Sequence, residues 1–165
     1  MFAVGDRVIY PMHGGAIVKA IESHVHNDIA NDYYVLEMLF ESMTLSVPVA
    51  HAEGLGLRNI VSEKELESVA EVLKSMPDVK EIKSISWNRR FQVYMDWIKS
   101  GKITEVARVF KILTILEKNK KISVGERRLL HNTKQILQSE LMLIRNVDAK
   151  EAERWIYEFA KIPSK

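Results

Sequence analysis

Residues 44–49, TLSVPV, and residues 62–74, SEKELESVAEVLK, are near neighbours in the chain and follow different periods. In the first, Leu45, Val47 and Val49 alternate with Thr44, Ser46 and Pro48, a period of two that buries one strand face and turns Ser46 outward. Pro48 has no N–H to give a neighbouring strand, so the segment belongs at a sheet edge or a strand end. In the second, Ser62 and Glu65 have capping-box spacing, and Leu66, Val69, Ala70 and Leu73 form a helical stripe that stops before Pro77. This change of period predicts an α+β chain, with strands over residues 1–61, helices over residues 62–165, and the boundary between Asn59 and Ser62.

The same signals repeat on either side. DRVIY, GAIVKAIESHV and DYYVLEMLF are rich in β-branched and aromatic residues, separated by His13-Gly14-Gly15 and by the polar stretch Asn27 to Asp32. Short strands with no helix between them suggest a small barrel, with His13-Gly14-Gly15 as a turn between strands. Beyond Ser62 the cap recurs as Ser123 with Glu126 and Asp148 with Glu151, each followed by an apolar stripe. Residues 102–120 are apolar on nearly every side, which predicts the central helix of a bundle. No repeat or low-complexity linker separates the halves, so they are free to pack together.

Composition narrows the class. The chain has 165 residues, 47% hydrophobic and 28% charged, with no Cys, which fits a folded domain without disulfide or thiolate chemistry. The start, MFAVGDRVIY, holds no apolar run of signal length, and no stretch approaches the roughly 20 apolar residues of a bilayer span. A cytoplasmic protein without membrane contact is the expectation. The net charge of +2 conceals an asymmetry, because residues 1–64 contain four bases and eight acids. Residues 80–128 hold thirteen bases and five acids, a pattern that fits either a polyanion partner or well-solvated helices.

Little points to catalysis. His24 and His26 share a strand face, but no further ligand stands at metal-binding spacing, so neither a metal nor a cofactor is expected. His51 and His131 have no nucleophile nearby in sequence, and no catalytic residue is assigned. A hydrolase assembled from scattered carboxylates and histidines remains a remote alternative. SWNRRF, residues 86–91, is more informative. Phe91, Tyr94, Met95 and Ile98 suffice to dock a helix, while Trp87 falls a turn earlier, at its N-terminus if Ser86 is the cap. Arg89 and Arg90 then sit in the first turn, where the helix dipole disfavours cations by about 0.3 kcal/mol or more. Free N–H groups, guanidinium forks and an exposed indole suit a phosphate backbone beside a wedge. A core Trp with solvated arginines satisfies the same spacing.

VGDRVIYPMHGGAIVKAIE (residues 4–22), TLSVP, SWNRRF and the later VGERRLL (residues 124–130) resemble, in this order, the CarD/CdnL family of bacterial transcription regulators. The first segment is also similar to the polymerase-interacting module of transcription-repair coupling factors, and the helical half distinguishes the two. The resemblance implies a Tudor-like β-barrel that binds the RNA polymerase β subunit, and a helical domain that contacts promoter DNA through the minor groove and phosphate backbone. It implies that Trp87 wedges into the minor groove at the upstream edge of the melting bubble, with Asn88, Arg89, Arg90, Arg127 and Arg128 beside it. It places polymerase contacts at His24 and Ser46, where relatives carry arginines, so two charges are missing from that face. The expected protein is a non-enzymatic regulator that stabilises open promoter DNA and reaches the nucleoid through RNA polymerase. The competing class is a protein-only adaptor whose basic helices are merely solvated.

Overall fold

The computed structural model describes residues 1–120 and 122–161. Five strands come first: β1 (Arg7–Tyr10), β2 (Gly14–His26), β3 (Ile29–Met38), β4 (Thr44–Pro48) and β5 (Arg58–Asn59). They form one antiparallel sheet in the order β4-β3-β2-β1-β5, with a bulge at Lys19 between the Val18 and Ala20 pairs. The Pro-containing β4 is an edge, as the missing N–H requires. One face of the sheet wraps around Val8, Ala16, Val18, Tyr34, Leu36 and Val47, all buried. Burying side chains of the larger sizes contributes about 1.5–3 kcal/mol each.

The stretch Asn27–Asp32 is not a loop. Only Asn27 and Asp28 turn, at φ 50° and 62°, and the strands pair again directly as His26 with Ile29 and Val25 with Ala30. Two successive positive φ values give the two-residue hairpin turn whose twist matches its strands, and Asn and Asp tolerate them best. The polar residues beyond belong to an exposed hairpin arm.

Six helices follow among the described residues: α1 (Glu63–Lys74), α2 (Val79–Ser84), α3 (Trp87–Lys99), α4 (Ile103–Lys118), α5 (Val124–Arg145) and α6 (Ala149–Ala160). Helix α4 buries residues around most of its circumference, from Ile103 and Val106 to Leu113 and Leu116, and packs on α1, α3 and α5. Both arms of the capping box at the start of α5 are formed. Ser123 N–H donates to Glu126 Oε2 at 3.0 Å, and Glu126 N–H donates to Ser123 Oγ at 3.1 Å. Asp148 caps α6 by accepting from Glu151 N–H at 2.8 Å.

The halves are fastened together, with α5 lying on the sheet. His13 is in the turn, but Gly14 and Gly15 already belong to β2, and their lack of a side chain serves packing as well as turning. A Cβ on Gly14, whose φ is +87°, would stand 2.6 Å from Ser139 Oγ, and one on Gly15 would stand 2.9 Å from Leu143 Cδ1. Gly15 N–H donates to Ser139 Oγ at 2.7 Å. Nearby, Arg58 from β5 grips Glu140 of α5 through two bonds, of 2.8 and 2.9 Å. The buried carboxylate also accepts from Val61 N–H at 3.2 Å. Both charges of this pair are therefore hydrogen-bonded, the condition under which buried charge is tolerated.

Candidate nucleic-acid interface

Two helix N-termini meet at one corner of the bundle. Helix α3 begins at Trp87 after Ser86, and α5 begins at Val124 after Ser123. Trp87 leads the apolar stripe of α3 by a full turn, so its ring stands outside the core, 46% exposed. The indole stacks on Phe91 with centroids 5.3 Å apart and 22° between planes, and its N–H donates to Ser123 Oγ at 3.1 Å. The reading of Trp87 as an ordinary core residue does not describe this ring.

Asn88 and Arg89 are exposed on the first turn of α3, and Arg127 and Arg128 are exposed near the start of α5. Arg90 is different. Its Nε donates to Glu126 Oε1 at 2.8 Å, and a second guanidinium nitrogen lies 2.6 Å from the same oxygen. The Arg90 side chain is 13% exposed and that of Glu126 is 1% exposed. A guanidinium committed to a buried carboxylate is a structural cation, so the expectation that Arg90 meets phosphate gives way to a scaffold role. Buried Tyr94 lies beside this pair. Burial raises its hydroxyl pKa far above the ordinary value, against the opposing pull of the Arg90 charge. The corner thus presents an apolar plate and three free-facing arginines over a neutralised, buried base.

His24 and Ser46 lie on a second surface. Val35 of β3 pairs with Ala20 of β2 on one side and Ser46 of β4 on the other, so these three share the outer face of the sheet. Four residues beyond Ala20, His24 points to the same side, in T-shaped contact with Tyr33 and 3.3 Å from Glu22. His26 continues that phase, but among the described residues no group of three potential ligands gathers to hold a metal. The register also places Ile9, Gly15 and Ile17 on this outer face, at the end that α5 covers. The face therefore divides into a part closed by α5 and an open part bearing Tyr33, Val35, His24 and Ser46.

A family model described as the CarD C-terminal domain matches residues 68–157, and one described as the CarD-like/TRCF RID domain matches residues 2–61. The chain belongs to the CarD family. It is 29% identical over 151 residues to "Putative transcription factor YdeB" of Bacillus subtilis (strain 168), covering 92% of this chain and 97% of that one. CarD-family membership makes this a transcription-regulator chain with a Tudor-like module of the RNA polymerase-interacting type at its N-terminus, and not a member of an enzyme family. No described helix is long and apolar enough to cross a membrane.

Two of the ion pairs around this CarD-family site have no full signature in the sequence. Arg58 and Glu140 bear no local signature, because they meet across 82 positions of chain. Glu126 was legible as half of a capping box, but its second engagement, with Arg90, depends on α3 lying alongside, which no local spacing reveals.

Proposed function

We propose that this protein regulates initiation by holding RNA polymerase and melted promoter DNA at once. The open outer face of the sheet, with His24 and Ser46, docks on the β subunit. Trp87 wedges into the minor groove at the upstream edge of the bubble, and Arg89, Arg127 and Arg128 meet adjacent phosphates, with Asn88 beside the wedge. One observation carries this reading: a Trp with 46% of its surface exposed is held at a corner flanked by exposed arginines. An aromatic wedge with backbone contacts suits a distorted duplex and reads little base sequence. With Glu22 and no arginine on the docking face, polymerase contact there relies on shape and neutral groups more than on cations.

The mechanism is linkage. A protein that binds the open complex better than the closed one shifts their equilibrium by the difference in affinity and requires no catalytic group. The test is open-complex lifetime on a supercoiled promoter with and without the protein. The reading expects a longer lifetime with the wild-type chain and loss of that extension with Trp87→Ala. An equal lifetime for the two proteins at saturating polymerase binding returns the protein to a protein-only adaptor.

A further inference from the structure

An exposed aromatic ring at a helix end usually samples several rotamers, and ordering it on contact with a ligand lowers affinity. Trp87 is already seated. Phe91 lies one turn behind it, and a Cβ on Gly125 would touch the indole at 3.5 Å and Phe91 at 3.6 Å, so the glycine forms a floor beneath both rings. The remaining degree of freedom is rotation of the ring edge, and Ser123 addresses it. The Ser123 hydroxyl oxygen has two lone pairs. It accepts Glu126 N–H at 3.1 Å as the helix cap and the Trp87 indole N–H at 3.1 Å from α3. Ser123 is itself anchored, because its own N–H binds Glu126 Oε2 at 3.0 Å while Oε1 of the same carboxylate holds Arg90. Residues 87 and 90 stand one turn apart on α3, as do 123 and 126 around the start of α5, so the corner has two rungs, Trp87–Ser123 and Arg90–Glu126.

We infer that Ser123 is a positioning residue for Trp87: the N-cap hydroxyl of α5 fixes the orientation of the indole before it meets DNA. This rests on the reading of Trp87 as the wedge. A capping role alone predicts a different result, because glycine is nearly as good an N-cap as serine yet has no hydroxyl.

The experiment compares full-length wild type, Ser123→Gly, Ser123→Thr and Trp87→Ala. Two readouts are used: the ¹H–¹⁵N resonance and hydrogen exchange of the Trp87 indole without DNA, and open-complex lifetime with polymerase. In Ser123→Gly the indole resonance should move and exchange faster while melting stays close to wild type. Lifetime should fall by about 2- to 12-fold, the equivalent of one net hydrogen bond. Ser123→Thr restores the hydroxyl and should return both readouts toward wild type. An unchanged indole resonance, or an unchanged lifetime despite a shifted resonance, overturns the positioning role of Ser123. Failure of the wedge itself is separately visible, because Trp87→Ala would then leave lifetime unaltered.

Discussion

The two ends of α5 solve the same problem with the same chemistry and to different ends. Glu126 and Glu140 are both almost fully buried, 14 residues or about 21 Å apart along the helix, and each holds an arginine from another element. At Glu140 the pair is tied in further by Val61 N–H on the carboxylate and Gly101 C=O on the guanidinium, and it closes the seam between sheet and bundle. At Glu126 the pair lies at the base of a corner where an aromatic ring is left in solvent and arginines crowd the positive ends of helices. The contrast teaches where to look for function. The Arg58–Glu140 pair does only what packing asks of it, whereas the corner leaves an aromatic ring in solvent and cations at helix N-termini, and broken local rules of this sort concentrate at working surfaces.

The comparison breaks most visibly at the seam. Glu140→Ala strands Arg58 and should cost about 3–5 kcal/mol, a melting drop of roughly 6 to 20 °C for a chain of this size. Calorimetry on the purified variant checks this, and Arg58→Met with Glu140→Leu should recover most of the loss. Next, Arg90→Ala leaves Glu126 buried and unpaired and should cost about 3 kcal/mol. The salt dependence of DNA binding should keep its slope in that variant, which separates Arg90 from its neighbours. Arg127→Ala should do the reverse, with near-native melting and a slope of log affinity against log salt shallower by about 0.9. The smallest effect on stability belongs to Ser46→Asp on the open sheet face, about 0.5 kcal/mol or less. Weaker capture of RNA polymerase by this variant, measured in solution, sharpens the assignment of that face, and undiminished capture moves the docking surface elsewhere.

Much of this architecture was legible in sequence because it is locally encoded. The period-two alternation of residues 44–49, the caps at Ser62, Ser123 and Asp148 and the all-round apolar α4 each need only their own neighbours. The hairpin arm was misread because Asn31 and Asp32 look like loop residues, although both their strand faces meet water. Helix α2 and the two-residue β5 escaped notice, since α2 buries no residue fully and β5 exists only through its pairing with β1. The place of Trp87 follows from its phase, one turn ahead of the stripe that docks α3. The separation of Arg89 from Arg90 was not legible. Adjacent on a helix, they differ by about 100° in direction, and only the position of α5 determines which one faces a carboxylate.

The most direct test is to measure melting and open-complex lifetime together for Trp87→Ala. As an exposed plate supported by Phe91, the ring should leave the melting temperature within a few degrees of wild type, about 1 kcal/mol or less in stability. Losing an aromatic contact to bases should shorten open-complex lifetime by roughly 5- to 150-fold, equivalent to about 1–3 kcal/mol. A melting loss of roughly 6 to 20 °C, as expected for removing a core Trp, with lifetime unchanged at saturating protein, would contradict the wedge.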